Sequence, residues 1–116
     1  MEKLLKQLAN AAEGSIELDV LMLLQAGWKR GGPYWLAADG KIAKEFIHPT
    51  RSLDAIRALL EARGCKIVYL TIENEPLIYY VVVRTANGYR VAAGHANMIL
   101  ALCLAFCSIL ASSYGD

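Results

Sequence analysis

Two tryptophans, two cations and two glycines fall within one short run, Trp28-Lys29-Arg30-Gly31-Gly32-Pro33-Tyr34-Trp35. Aromatic faces stack on nucleobases, at roughly 1–3 kcal/mol per base. An arginine fork matches phosphate oxygens bidentately. Glycines let backbone N–H groups come close to an anion. These are the groups a nucleotide pocket needs, so Trp28, Lys29, Arg30, Tyr34 and Trp35 are the first candidate ligand-binding residues. Arg51 precedes Ser52, which reads as a helix N-cap, and a helix N-terminus attracts anions. Arg51 therefore joins the set. The competing reading makes Trp28 and Trp35 core anchors at the ends of a surface loop, with Lys29 and Arg30 solvated near a helix C-terminus. Should that loop bind nothing, Arg84, Arg90 and His95 are the secondary candidates.

Catalytic patterns are missing from the sequence. It has no Walker loop, no HExxH and no GxSxG. His48 precedes Pro49 and reads as an exposed loop residue, while His95, between a strand and a helix cap, reads as structural. Nothing in the sequence supports a pairing of His95 with Cys65 or with a serine. Glu73 and Glu75 flank a turn and read as solvated. Cys103 and Cys107 share one face of an apolar helix, but no CxxC accompanies them. They read as small buried hydrophobes in a reducing cytosol. The expectation is a protein that is not an enzyme and has no metal and no cofactor.

Composition narrows the partners. Lysine and arginine exceed aspartate and glutamate by only one charge, which argues against a binder of long nucleic acids. Hydrophobic residues make up 56% of the 116, so buried helices, an oligomer interface or both are expected. The most apolar stretch, Met98 to Ala111, is shorter than the ~20 residues of a membrane span, and it reads as a core helix. The N-terminus lacks the apolar run of a signal peptide. The expectation is one cytoplasmic domain, 1–116, with no membrane contact.

The elements that must position these residues follow from spacing. Leu4, Leu5, Leu8 and Ala12 predict a short amphipathic helix. Ser15 predicts an N-cap, with Glu17 and Asp19 near the positive helix end, and Gly27 predicts the stop. That second helix is apolar on most faces and should be largely buried. Gly31, Gly32 and Pro33 argue against regular structure there; strands are expected at Tyr34 to Ala37 and Lys41 to Ile47, around an Asp39-Gly40 hairpin turn. Ser52 caps a helix that presents Leu53, Ile56, Leu59 and Leu60 on one side and ends at Gly64. Strands are expected at Lys66 to Ile72, Ile78 to Arg84 and Tyr89 to Ala93, the last two joined by a tight type I′ hairpin at Asn87-Gly88. Asn97 caps the final helix. The fold class is α+β in the order ααββαβββα: an antiparallel sheet of four or five strands sandwiched between helices.

Three segments have a familiar order: Gly14-Ser15-Ile16-Glu17-Leu18-Asp19, Thr50-Arg51-Ser52-Leu53-Asp54-Ala55, and Gly94-His95-Ala96 running into Leu100-Ala101-Leu102-Cys103. Together with Trp28 they resemble the bacteriophage proteins of the phage ABA sandwich family. The resemblance implies an α/β/α sandwich, a phage or prophage origin and action in the cytoplasm of the infected bacterium. It implies no activity, and it carries no functional residue over. Asn97-Met98 departs from the family's Thr-Pro helix start, and the Gly31 to Ile47 segment does not align.

These observations lead to an expected function: a phage counter-defence protein that binds and sequesters a small anionic ligand, such as a nucleotide immune signal, as a homo-oligomer. The stripe Ala101, Ala105, Ser108 and Ser112 offers the last helix as a self-association surface, as does an edge strand. One alternative is a protein that blocks a host protein through Tyr79, Tyr80 and Tyr89, since tyrosines are favoured interface anchors. The other is a structural or regulatory phage component with no small ligand.

Overall fold

The computed structural model describes residues 1–43 and 46–112. Its fold is α+β, with four helices and two three-stranded antiparallel sheets among those residues. The helices are α1 (Glu2–Asn10), α2 (Ile16–Gln25), α3 (Leu53–Ala62) and α4 (Met98–Ala111). One sheet joins β1 (Lys29–Gly31), β2 (Tyr34–Leu36) and β3 (Ile42–Ala43); the other joins β4 (Lys66–Glu73), β5 (Ile78–Arg84) and β6 (Arg90–His95). No described helix is long and apolar enough to cross a membrane.

Helix boundaries follow the expected caps. Ser15, Ser52 and Asn97 accept from the backbone N–H of Leu18, Ala55 and Leu100 at 3.2, 3.2 and 3.1 Å. Both Gly27 and Gly64 lie in the left-handed region that ends a helix in a Schellman turn. The next residue then donates back into the helix, Trp28 to the Leu23 carbonyl and Cys65 to that of Leu60, each at 2.9 Å. This geometry turns Trp28 and Cys65 into the core.

The first sheet differs from expectation. Lys29–Gly31 is a strand, because Gly32 and Pro33 alone suffice for the turn. Gly32 takes the positive φ of a II′ turn, and Gly31 stays in register under the Leu36 side chain. The expected strand Lys41 to Ile47 shrinks to Ile42–Ala43, with residues 44 and 45 outside the described residues. The hairpin at Asn87-Gly88 forms, but not as a type I′ turn. Gly88 alone has positive φ and donates to the Thr85 carbonyl at 3.0 Å, while Thr85 donates to Tyr89 at 2.7 Å. That is a three-residue loop with glycine at the bulge position.

The layers also differ from one sheet covered on both sides. Helix α4 is apolar around its circumference and takes the middle of the molecule. It packs on β5 and β6 with one side and on α1, α2 and α3 with the other. Ala101 and Ala105, expected at a surface between chains, are therefore buried within one chain. Residues Tyr79, Val81 and Val83 of β5 face α4, opposite His95, Ala93 and Val91 of β6. The other face carries Tyr80, with Tyr69 and Thr71 of β4, exposed to solvent beside a buried Val82. Helix α2 buries only Leu18, Asp19, Met22 and Leu23; Ile16, Leu21 and Leu24 stay exposed because α1 and α4 cover just one of its sides.

Candidate functional site

The β1–β2 hairpin sorts the expected ligand residues by face. Arg30 is the cross-strand partner of Trp35, while Lys29 pairs with Leu36 and Tyr34 with Gly31. Because strand side chains alternate, Arg30 and Trp35 share one face and Lys29 and Tyr34 the other. The Arg30 guanidinium carbon stands 5.1 Å from the Trp35 ring centroid, a cation–π contact. Trp28 does not join them: it is a buried core side chain, as the competing reading held.

From Trp35 the site continues through Phe46, which the sequence did not single out, and His48, which reads there only as an exposed loop residue. Phe46 packs tilted against Trp35 at 5.7 Å, and His48 meets the Phe46 ring edge-on at 5.0 Å. Arg51 Nη2 approaches His48 Nδ1 to 2.6 Å. A guanidinium N–H only donates, so that short contact makes Nδ1 an acceptor. Asp19 Oδ2, 3.2 Å from the same nitrogen, then does not receive a hydrogen bond from it. Arg30 and Arg51 thus stand at the two ends of a run of three rings, Trp35, Phe46 and His48, all half-buried.

Arg51 is held in place although its side chain is 42% exposed. Its Nε and Nη2 donate to Asp19 Oδ2 at 3.1 and 2.8 Å. Asp19 is fully buried, and its Oδ1 accepts from the Thr50 N–H at 2.8 Å and the Thr50 hydroxyl at 2.6 Å. The Ser15 N–H in turn donates to Thr50 Oγ1 at 3.1 Å. Spacing suggested only a helix-dipole role for Asp19. Its position one turn into α2 and the Thr-Arg pair before α3 are the local signals, but nothing local links residues 19 and 50.

The secondary candidates do not converge. Arg84 and Arg90 are exposed cross-strand partners at one end of the second sheet, and His95 closes β6 at the other end. Five residue steps along a strand separate Arg90 from His95, roughly 17 Å. His95 is buried; its Nδ1 accepts from Asn97 N–H at 2.8 Å, so Nε2 donates to the Leu8 carbonyl at 3.1 Å. It fastens the end of β6 to α1. The three tyrosines also divide, since Tyr79 faces the core and Tyr80 the solvent.

The thiols are poor nucleophiles. Burial pushes Cys107 up to about 12 and holds Cys103 well above its ordinary value, and the Cys103 thiol donates to the Pro49 carbonyl at 3.2 Å. Burial raises Cys65 as well, against the lowering influence of Arg63. Among the described residues no group of three or more His, Cys, Asp or Glu is placed to hold a metal. What the hairpin face can do is present guanidinium donors and aromatic surface side by side.

Comparison with protein-family models, with curated proteins and with solved structures finds no match for this chain.

Proposed function

We propose that this protein binds a small anionic ligand of nucleotide type on the hairpin face and withholds it from other proteins without transforming it. The observation that carries this reading is the run Arg30–Trp35–Phe46–His48–Arg51, which sets two guanidinium groups at the ends of three rings. Arg30 supplies fork-shaped donors for phosphate oxygens. Its stacking on Trp35 orders the guanidinium before binding, which lowers the entropy cost of capture. The rings offer area to a base, at roughly 1–3 kcal/mol. Arg51 is oriented by Asp19, which also balances its charge, so Arg30 is the main contact for an anion. In this reading the protein is a phage counter-defence factor of the infected bacterial cytoplasm, acting as a homo-oligomer and soaking up a nucleotide immune signal.

A thermal-shift screen with cyclic dinucleotides and ADP-ribose derivatives tests it. A ligand at 100 times its dissociation constant stabilises the fold by about 2.7 kcal/mol, a clear rise in Tm. Failure of every nucleotide to shift the melting transition rejects the reading.

A further inference from the structure

The second sheet has an open edge beside an open cleft. In the order β4-β5-β6, strand β4 pairs only with β5 among the described residues, so the hydrogen-bonding groups on its other side meet no further strand. On that side lies a cleft of about 740 Å³. Its apolar walls include Leu53 and Leu60 of α3, Ile67 and Leu70 of β4, and Met98 and Leu102 of α4. The charged Arg57, Glu61 and Lys66 also line it. Helix α3 packs beside α4, and the cleft is lined by α3, β4 and α4 together. Exposed apolar side chains border the same edge: Val68, Tyr69 and Ile72 are each over a third accessible.

We propose that a second copy of this chain fills the slot, its β4 pairing antiparallel with this β4 to join two three-stranded sheets into one of six strands. This deepens the homo-oligomer part of the function proposed above and does not depend on the ligand. Charge selects the occupant. The strand begins at Lys66, with Arg63 before it and Arg84 across from it, and ends at Glu73, with Glu75 following. Only an antiparallel copy lays the basic end of each strand against the acidic end of the other, twice over by two-fold symmetry. Side-chain parity agrees. Past the irregularity between Ile67 and Tyr69, residues Tyr69, Thr71 and Glu73 share the outer face, and Leu70 and Ile72 the inner one. Pairing centred on Thr71 puts Leu70 opposite the partner's Ile72 above the cleft. The irregularity itself bends the edge and confines the ladder to Tyr69–Glu73, so the apolar cleft must supply much of the contact.

Sedimentation of the intact chain tests this. The wild type is expected to be dimeric at micromolar concentration. Lys66→Glu sets acid against acid, and Glu73→Lys/Glu75→Lys sets base against base; each is expected to weaken dimerisation by about tenfold or more. An equimolar mixture of the two variants restores opposite charges at both ends, and dimerisation is expected to return. Amide exchange should show Tyr69–Glu73 protected in the dimer and released in Lys66→Glu. Circular dichroism confirms that these surface variants fold. A wild type that stays monomeric, a dimer that neither variant weakens, or a mixture that fails to re-form it overturns the inference. Nucleotide binding is scored separately, so a dimer that binds no nucleotide rejects the ligand reading alone.

Discussion

Arg51 grips the buried carboxylate of Asp19 through two nitrogens, at 2.8 and 3.1 Å, and so locks the start of α3 to the first turns of α2. Asp19→Asn removes the charge that four donor–acceptor contacts from Thr50 and Arg51 converge on. It is expected to cost about 2 kcal/mol or more, since the asparagine amide turns a donor toward groups that themselves donate and leaves them unsatisfied. Arg57→Ala breaks an exposed, loose pair with Glu61 at 3.8 Å and is expected to cost under about 1 kcal/mol. Urea melts of the two variants make the comparison; equal losses would deny Asp19 its central place.

Gly14 and Gly88 are expected to resist alanine for different reasons. A Cβ on Gly14 would run into the Thr50 carbonyl oxygen, so the α2–α3 joint must open. Nothing lies near a Cβ on Gly88, where the obstacle is its φ of 88°. Gly14→Ala is expected to lose about 3 kcal/mol or more, and Gly88→Ala roughly 1 kcal/mol. Chemical denaturation distinguishes the two; a benign Gly14→Ala would mean the joint is loosely packed.

The buried thiols predict alkaline sensitivity. Cys107 is raised from 9.0 to about 12, so the folded protein keeps a proton that the unfolded chain loses. Stability from this group is fully present below pH 9 and falls as pH rises toward 12. A Cys107→Ala variant should lose less stability over that window than the wild type, measured from the pH dependence of urea midpoints. At pH 8 the native thiols should also alkylate far more slowly than in urea, because the thiolate is the reactive form.

Caps, helices and the longer strands could be read locally, because each has a local cause. Ser15, Ser52 and Asn97 cap where their side chains predict, and Gly27 and Gly64 end helices by their permitted φ. The layering could not be read that way. An apolar helix such as α4 announces that it is buried, but not that it lies between a sheet and three other helices. The site was half legible. Arg30 and Trp35 come together because a two-residue turn pairs them. Phe46 and His48 are near neighbours in the chain, but the contacts of Phe46 with Trp35 and of Asp19 with His48 and Arg51 join segments that nothing local links. Trp28 sits next to the expected loop but belongs to the Schellman turn of α2, which draws it into the core.

The most direct test of the binding reading is a calorimetric titration of the wild type, Arg30→Ala and Trp35→Leu with a nucleotide that shifts Tm, at low and high salt. Arg30 is the better probe of the cations, because Arg51→Ala would also strand the buried Asp19 carboxylate. Arg30→Ala is expected to weaken binding about tenfold at low ionic strength and by less as salt screens the exposed charge. Trp35→Leu is expected to weaken it by a similar factor at every salt concentration, since stacking is not screened. Unchanged affinity in both variants would contradict the account and leave the β1–β2 hairpin a surface connection only.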